Sequence, residues 1–436
     1  MAALIVFLLS AVSLASVAAA TLVSINNTAP RLDTSGAIVD GHDLSLRVVV
    51  DATGKPTYVM HTIEYGLCVA PPRMGCDQQP DHCGFRPSHN ITVWTTPTLE
   101  SGSWTKVGDA FPLAARPAGL VFRPDAIYNP NTEKWVLWYN FAGGGNTYVS
   151  ATSSSYAGPF TGFAVTNATN AVWEGGDFHL VIDDTKTSGP AEGYLIWTGM
   201  SKQPGLDHKI RISRLTPDFL AVTDDEPYMF NFPETEFNEA PSLFSRNGVW
   251  YALFGAQDKR PTRPAPPNAQ DMRQTPCAPQ PGALALTRPT LYPLSTTRSG
   301  HCCCYCEQGS GLFVFTAATP MGPWTPQTSP THDISCQAPS VLQAVGATGT
   351  GIPTPGQGCL YGGSNQVAVT RSQQDFVAKL PDGSGGFTFL YYGSRWGQSP
   401  DSLKGHEPQY VYPLVFDASG HLQHIVWQDV VTFSVA

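Results

Sequence analysis

Charged residues are scarce in this sequence of 436 residues: Asp, Glu, Lys and Arg make up 14% of it. The 25 Lys and Arg are outnumbered by 34 Asp and Glu, and no basic run is present, which argues against binding to nucleic-acid phosphates or anionic lipid. No sustained helical period is found, and after residue 20 no apolar stretch is long enough for a membrane helix. The sequence is still 42% hydrophobic, so it can form a sizeable core.

Many short β-rich runs are present in place of helices. Examples are KWVLWYNF, EGYLIWTG, VWYALFG and FTFLYYG. The 41 Gly and 38 Pro are spread along the chain, as expected of numerous turns between short strands. The sequence therefore predicts an all-β protein.

The N-terminal residues 1–20 are apolar and end in small residues, with Ala18 and Ala20 placed as before a signal-peptide cleavage site. We interpret them as a signal peptide, the alternative being a membrane anchor. Export would allow the ten cysteines to form disulfides, although HCCCYC at residues 301–306 could instead indicate a metal site. Three Asn-x-Ser/Thr triplets, at Asn26, Asn90 and Asn167, are compatible with glycosylation.

An internal repeat organises the mature chain. SSSYAGPFTGF from Ser153 and ATPMGPWTPQT from Ala318 both follow a β-rich run, and looser copies lie near Thr95 and Leu215. Repeats of about 40 to 50 residues with four strands each are typical of a β-propeller. We predict a five-bladed β-propeller as one domain over 21–436, with a Pro-rich insertion at 259–300 within blade four. The predicted blade starts lie near Asp43, Asp125, Asp177, Glu239 and Gln366.

Acidic residues open the first strands of several blades. The innermost strands of a propeller line its channel, so Asp43, Asp125 and Glu239 should converge on one axial funnel. Two facing carboxyl groups are the minimum for glycoside hydrolysis, because one protonates the leaving oxygen and the other activates water. An isolated Asp at a strand start could equally cap a turn.

Five segments follow one another along the chain: FRPDAIYNPNTEKWVLWYN from Phe122, GGDFHLVIDD from Gly175, FNEAPSLFSRNGVWYALFG from Phe237, CCCYCEQGSGLFVFTAATPMGPW from Cys302 and YYGSRWG from Tyr391. Taken in this order, they resemble glycoside hydrolase family 43, in its exo-β-1,3-galactanase-like branch. The resemblance implies a five-bladed propeller and hydrolysis with inversion at the anomeric carbon.

The resemblance also implies roles for individual residues. Glu239 matches the general acid, Asp125 the carboxylate that sets its pKa, and Asp43 the general base. Some members lack that base and use a Gln of the last blade instead, which here corresponds to Gln366. Phe122 stands where those galactanases carry Glu.

Further residues are candidates for substrate binding, with burial in the core as the alternative for each. They are His42, Arg123, Tyr139, Asp177, Gln366, Arg395 and Trp396.

The sequence thus predicts a secreted, extracellular glycosidase that acts on plant or algal polysaccharides, such as galactan, arabinan or xylan side chains. We expect an inverting two-carboxylate mechanism, no cofactor and no metal. We expect a monomer with a polysaccharide or oligosaccharide substrate, no nucleic-acid partner, and no membrane association after signal cleavage. The alternatives are an inactive carbohydrate-binding propeller and a protein-interaction platform.

Overall fold

The structure of the chain is a computed structural model. It describes residues 20–69, 89–142, 146–170, 172–202, 208–223, 228–230, 236–258, 311–328, 333–337 and 367–436. The predicted signal peptide, except for Ala20, and the predicted insertion at 259–300 lie outside the described residues, so both stay predictions.

Five antiparallel sheets form a five-bladed β-propeller, which confirms the predicted fold. Within each blade the strands follow one another in chain order. Blade I holds β2 (His42–Val50), β3 (Pro56–Ile63), β4 (Ile91–Thr96) and β5 (Thr105–Asp109). Blade II holds β6 (Leu120–Asn129), β7 (Lys134–Ala142), β8 (Asn146–Ser153) and β9 (Thr161–Val165).

Blades III, IV and V continue the same order. Blade III holds β10 (Trp173–Ile182), β11 (Gly193–Ser201), β12 (Lys209–Arg214) and β13 (Tyr228–Met229). Blade IV holds β14 (Glu236–Arg246), β15 (Val249–Asp258), β16 (Gly311–Ala317) and β17 (Thr325–Pro326). Blade V holds β20 (Gln373–Pro381), β21 (Phe387–Ser394) and β22 (Gln409–Pro413) within the part of the chain described. The innermost strand of blade V thus begins at Gln373, and the predicted start near Gln366 is wrong by several residues.

Two short sheets complete the described strands. The first described strand, β1 (Thr21–Asn26), pairs antiparallel with the last, β23 (Val430–Val435), so the two ends of the propeller chain meet. Asn27 fixes this pair to blade V, because its side-chain amide donates to the Val411 carbonyl and accepts from the Val411 N–H, each at 2.9 Å. Strands β18 (Cys336–Gln337) and β19 (Val367–Ala368) form the other sheet. Among the described residues, no helix has the length and hydropathy needed to cross a membrane.

The hydrophobic core lies between the blades. Successive side chains of a strand point to opposite faces, so a middle strand with apolar residues at every position can pack against both neighbouring blades. In β7, Val136 and Trp138 pack toward blade III, whereas Leu137 and Tyr139 pack toward blade I. This is why the β-rich runs of the sequence show little polar alternation.

The repeated Gly-Pro-aromatic motif of the sequence occupies the same structural position in two blades. Gly158-Pro159 and Gly322-Pro323 both lie in the turn between the third and fourth strands of their blades, and each peptide bond is cis. The aromatic residue that follows is buried in both cases, as Phe160 in blade II and Trp324 in blade IV. The looser copies occupy the corresponding turns of blades I and III, where Trp104 and Phe219 are buried. The repeat inferred from sequence therefore corresponds to the blade.

Candidate active site

All five innermost strands carry a register shift at the same level of the channel. The shifts lie between the residue pairs 42/45, 122/125, 175/178, 239/242 and 374/376. Asp43, Arg123 and Ala240 adopt positive φ angles of 50°, 51° and 57° at these points. A β-bulge re-aims side chains and breaks the simple alternation of a strand. Here the bulges bring polar side chains of five blades together at one end of the channel.

Arg123 is the centre of this polar cluster and is 3% exposed. Its Nε lies 3.1 Å from an Asp177 oxygen and 3.4 Å from an Asp43 oxygen. Its Nη1 donates to the carbonyls of Gln374 and Asp375 at 2.9 Å and lies 3.6 Å from the Asp375 carboxylate. Burial alone would lower the pKa of Arg123, but these carboxylates together raise it, so the guanidinium stays charged.

Glu239 lies beside this cluster and is held by a side chain of blade V. The Gln373 amide donates through Nε2 to Glu239 Oε1 at 2.7 Å, and the same nitrogen lies 3.5 Å from Asp177 Oδ2. Gln373 is itself fixed, because its Oε1 accepts a hydrogen bond from Trp396 Nε1 at 2.8 Å. Glu239 and Asp177 therefore share one amide donor.

Three carboxyl groups of the cluster, those of Glu239, Asp375 and Asp43, retain protons at unusually high pH. Burial, followed by the charge of Asp177, raises the pKa of Glu239 to about 8. Burial likewise raises the pKa of Asp375 to about 8 and that of Asp43 to about 6, although Arg123 opposes both shifts. One guanidinium does not neutralise four carboxylates, so some of them stay protonated near neutral pH. A protonated carboxyl group is what a general acid requires.

Asp43 and Asp375 differ in their access to solvent. The Asp43 side chain is 8% exposed and the Asp375 side chain 0% exposed. Asp375 Oδ2 also accepts a hydrogen bond from Ser394 Oγ at 2.6 Å. Of these two carboxylates, Asp43 is the better placed to meet a water molecule.

Asp125 does not take the position expected for the carboxylate that sets the pKa of Glu239. Its Oδ1 accepts from Arg47 at 2.7 Å, and its Oδ2 accepts from the Leu180 N–H at 2.7 Å. Asp125 follows the bulge in β6, so both of its oxygens form their hydrogen bonds farther along the channel than the contacts of Arg123. Asp177, which the sequence suggested as a substrate-binding residue, is the carboxylate next to Glu239.

Two predicted substrate-binding residues, Tyr139 and Arg395, are buried in the fold. Tyr139 is 0% exposed, in contact with Phe111 and Phe141. Arg395 donates to the Asn27 carbonyl at 2.7 Å and to the Gln398 side chain, so it fixes the chain ends to blade V. Burial and nearby Arg371 lower its pKa to about 9. Both side chains thus have contacts within the fold, and a role of either in substrate binding stays a prediction.

His42 and Trp396 form a buried layer behind the cluster. Their rings stack with centroids 5.5 Å apart, and Lys404 Nζ lies 4.1 Å from the Trp396 ring centre. Lys404 is paired with Glu407 at 2.9 Å, and both side chains are 1% exposed. Because His42 is 0% and Trp396 5% exposed, this layer supports Gln373 and does not present an open stacking face to a sugar.

Sequence reasoning missed Gln373 and Asp375. They open β20 in the segment QQDFVAKL, where a polar triplet precedes an apolar strand as NEAP does in β14. This sequence pattern could have identified Gln373 and Asp375 as candidate site residues. Gln366, the predicted alternative to Asp43, lies outside the described residues, and its role stays a prediction.

Cys68 and Cys336 are each disulfide-bonded. The other eight cysteines lie outside the described residues, and disulfide formation by them stays a prediction. In the described part of the chain, no group of three or more His, Cys, Asp or Glu side chains could hold a metal ion.

Similarity to solved structures supports the fold. An exo-β-1,3-galactanase from Phanerochaete chrysosporium, solved with β-1,3-galactotriose, aligns with 93% of this chain and 67% of its own at 19% identity and a TM-score of 0.55. An exo-β-1,3-galactanase from Clostridium thermocellum aligns with 94% of this chain and 66% of its own, at 15% identity and a TM-score of 0.58. The chain therefore spans about two thirds of the length of these two proteins.

A third similar structure is a putative exo-β-1,3-galactanase from Bifidobacterium bifidum s17, with 16% identity, coverage of 93% and 97%, and a TM-score of 0.55. At these identities the likeness shows a shared propeller fold. No protein-family profile and no curated protein sequence matches the chain.

Proposed function

We propose that this protein is a secreted glycoside hydrolase that cleaves the glycosidic bonds of plant or algal polysaccharides with inversion at the anomeric carbon. The observation that carries the proposal is the carboxyl cluster at one end of the channel, where Glu239 has a raised pKa and Asp43 is held on the same guanidinium as Asp177. Similarity to galactanase structures supports a carbohydrate substrate.

Glu239 serves as the general acid. Below its pKa of about 8 it carries the proton that the glycosidic oxygen needs as the bond breaks. Asp177 maintains this state, because a second negative charge nearby disfavours ionisation of Glu239. Gln373 holds Oε1 of Glu239, which leaves Oε2 for the proton transfer.

Asp43 serves as the general base. Its pKa of about 6 leaves it ionised at neutral pH, so it can accept a proton from the attacking water. Arg123 orients this carboxylate and remains charged throughout. Attack by water on the face opposite the leaving oxygen gives inversion in a single step.

Secretion is part of the proposal and is supported by the apolar residues 1–20. The three Asn-x-Ser/Thr triplets also fit an exported protein, because Asn26, Asn90 and Asn167 are all exposed.

The test is hydrolysis of β-1,3-galactotriose, arabinotriose and xylotriose by the wild-type protein and by Glu239→Gln. Release of reducing sugar by the wild type, lost in Glu239→Gln, is expected. Glu100→Gln is the matched control, because Glu100 is an exposed carboxylate in the turn between β4 and β5. Binding of a trisaccharide without any product would instead support an inactive carbohydrate-binding propeller.

A further inference from the structure

A cavity lies at the end of the channel away from the carboxyl cluster. It has a volume of about 370 Å³ and is lined by the later residues of all five innermost strands, from Leu46 in blade I to Lys379 in blade V. Strands rise about 3.3 Å per residue, so Ser245 of this cavity lies roughly 15–20 Å along β14 from Glu239. Its volume is in the lower range of ligand pockets.

The two ends of the channel are separated by a packed layer. The Phe376 ring lies 4.4 Å from the His179 ring and 4.8 Å from the Arg47 guanidinium. The ion pair between Arg47 and Asp125, 2.7 Å long, is part of the same packed layer across the channel. The cavity is therefore distinct from the carboxyl cluster.

The polar groups of the cavity are balanced in charge. Lys379 is paired with Asp184, and Lys379 Nζ donates to Ser245 Oγ at 3.1 Å. Arg47 is paired with Asp125. Because each cation has a carboxylate partner, the cavity does not select a strongly charged ligand. Hydroxyl groups, which both donate and accept hydrogen bonds, match such a lining.

His179 adds a buried donor to the lining. It is 2% exposed, and its Nδ1 accepts from the Leu243 N–H at 3.1 Å, which leaves the proton of the neutral ring on Nε2. Nε2 has no hydrogen-bond partner among the described residues. A buried donor without a partner is costly, and this ring is part of the cavity lining.

Aromatic side chains lie at the rim. Tyr128 is 41% exposed, and its ring centroid lies 5.8 Å from that of Trp135, which contacts Tyr156 at 6.1 Å. Tyr and Trp offer an apolar face together with a polar edge. Sugar rings, whose C–H faces are apolar and whose edges carry hydroxyls, fit this combination.

We propose that this cavity is a second carbohydrate-binding site, which takes a neutral sugar unit of the polysaccharide away from the carboxyl cluster. The choice of a sugar as ligand rests on the proposed function. Binding here would hold the polymer to the protein without hydrolysing it, because Asp184 is the one carboxylate among the described lining residues.

The test is calorimetric titration of Glu239→Gln with β-1,3-galactotriose and with xylotriose. We expect two binding events per chain for one of them. Adding Trp135→Ala should weaken one event by roughly tenfold. Phe163→Ala is the matched control, because Phe163 is an aromatic residue, 45% exposed, on the outer strand of the same blade. It should leave both events unchanged.

A single binding event, or equal affinities in the Trp135→Ala and Phe163→Ala variants, would overturn the second site. If Trp135→Ala fails to fold, Tyr128→Ala replaces it, since that ring is the more exposed. Hydrolysis by the wild type is measured separately. If the wild type does not hydrolyse the trisaccharides but a binding event that depends on Trp135 is observed, the proposed function alone is refuted. If the wild type hydrolyses them but no binding event depends on Trp135, the second site alone is refuted.

Discussion

Replacing Asp177 by Asn should move the basic limb of the pH–rate profile to lower pH. The limb of kcat/KM reports the pKa of the acid in the free enzyme, which for Glu239 is about 8. Two unit charges about 6 Å apart interact by roughly 3 kcal/mol at an effective dielectric constant of 20, equivalent to about two pKa units. An Asp177 oxygen lies 3.5 Å and a Glu239 oxygen 2.7 Å from the same Gln373 nitrogen. The two oxygens are therefore at most about 6 Å apart, and the interaction energy just given applies to this pair.

We therefore expect the limb to fall by roughly one to two pH units in Asp177→Asn. It should remain above the ordinary value for Glu, because burial is the larger cause of the shift. The matched control is Asp125→Asn, whose oxygens contact Arg47 and Leu180 and should leave the limb in place. The assay is kcat/KM of an oligosaccharide from pH 4 to about 10, a range chosen to bracket both pKa values. A limb that moves in Asp125→Asn and stays in Asp177→Asn would refute the assignment of Asp177.

Three further predictions concern the same cluster. Gln373→Leu removes a hydrogen bond that lowers the pKa of Glu239, so the basic limb should move upward, opposite to Asp177→Asn; a downward shift would contradict this. Asp43→Asn should lower kcat by at least about 100-fold, with partial recovery in azide, and unchanged kcat would exclude it as the base. Arg123→Met leaves buried carboxylates without their cation and should cost about 3–5 kcal/mol of unfolding free energy. Carboxyl groups with raised pKa values favour folding at low pH, and this contribution is lost as pH rises through about 6 to 8. The decrease in unfolding free energy caused by Arg123→Met, measured by denaturant titration, should therefore be larger at pH 8 than at pH 5. An equal loss at both pH values would oppose the electrostatic explanation.

The sequence was sufficient for the fold because the blade repeat is local. Each middle strand is apolar at successive positions, and each third strand is followed by the same kind of turn, so a five-bladed propeller could be predicted. Glu239 could be predicted as a candidate site residue because NEAP lies near the start of an innermost strand, β14.

The site was predicted less completely because bulges change which residues face the channel axis. In β6 the bulge separates Arg123, which contacts the carboxyl cluster, from Asp125, which contacts a different level of the channel. The spacing of Arg123 and Asp125 in the sequence does not reveal that they contact different levels of the channel. Gln373 and Asp375 meet Arg123 and Glu239 from more than a hundred positions away in the chain, so only the closed ring of blades brings them together.

The most direct test of the account is the anomeric form of the first product, followed by proton NMR during hydrolysis of β-1,3-galactotriose or xylotriose. Glu239 as acid and Asp43 as base predict initial release of the α-anomer from a β-linked substrate, and no product from Glu239→Gln. Initial release of the β-anomer, or undiminished hydrolysis by Glu239→Gln, would contradict the account.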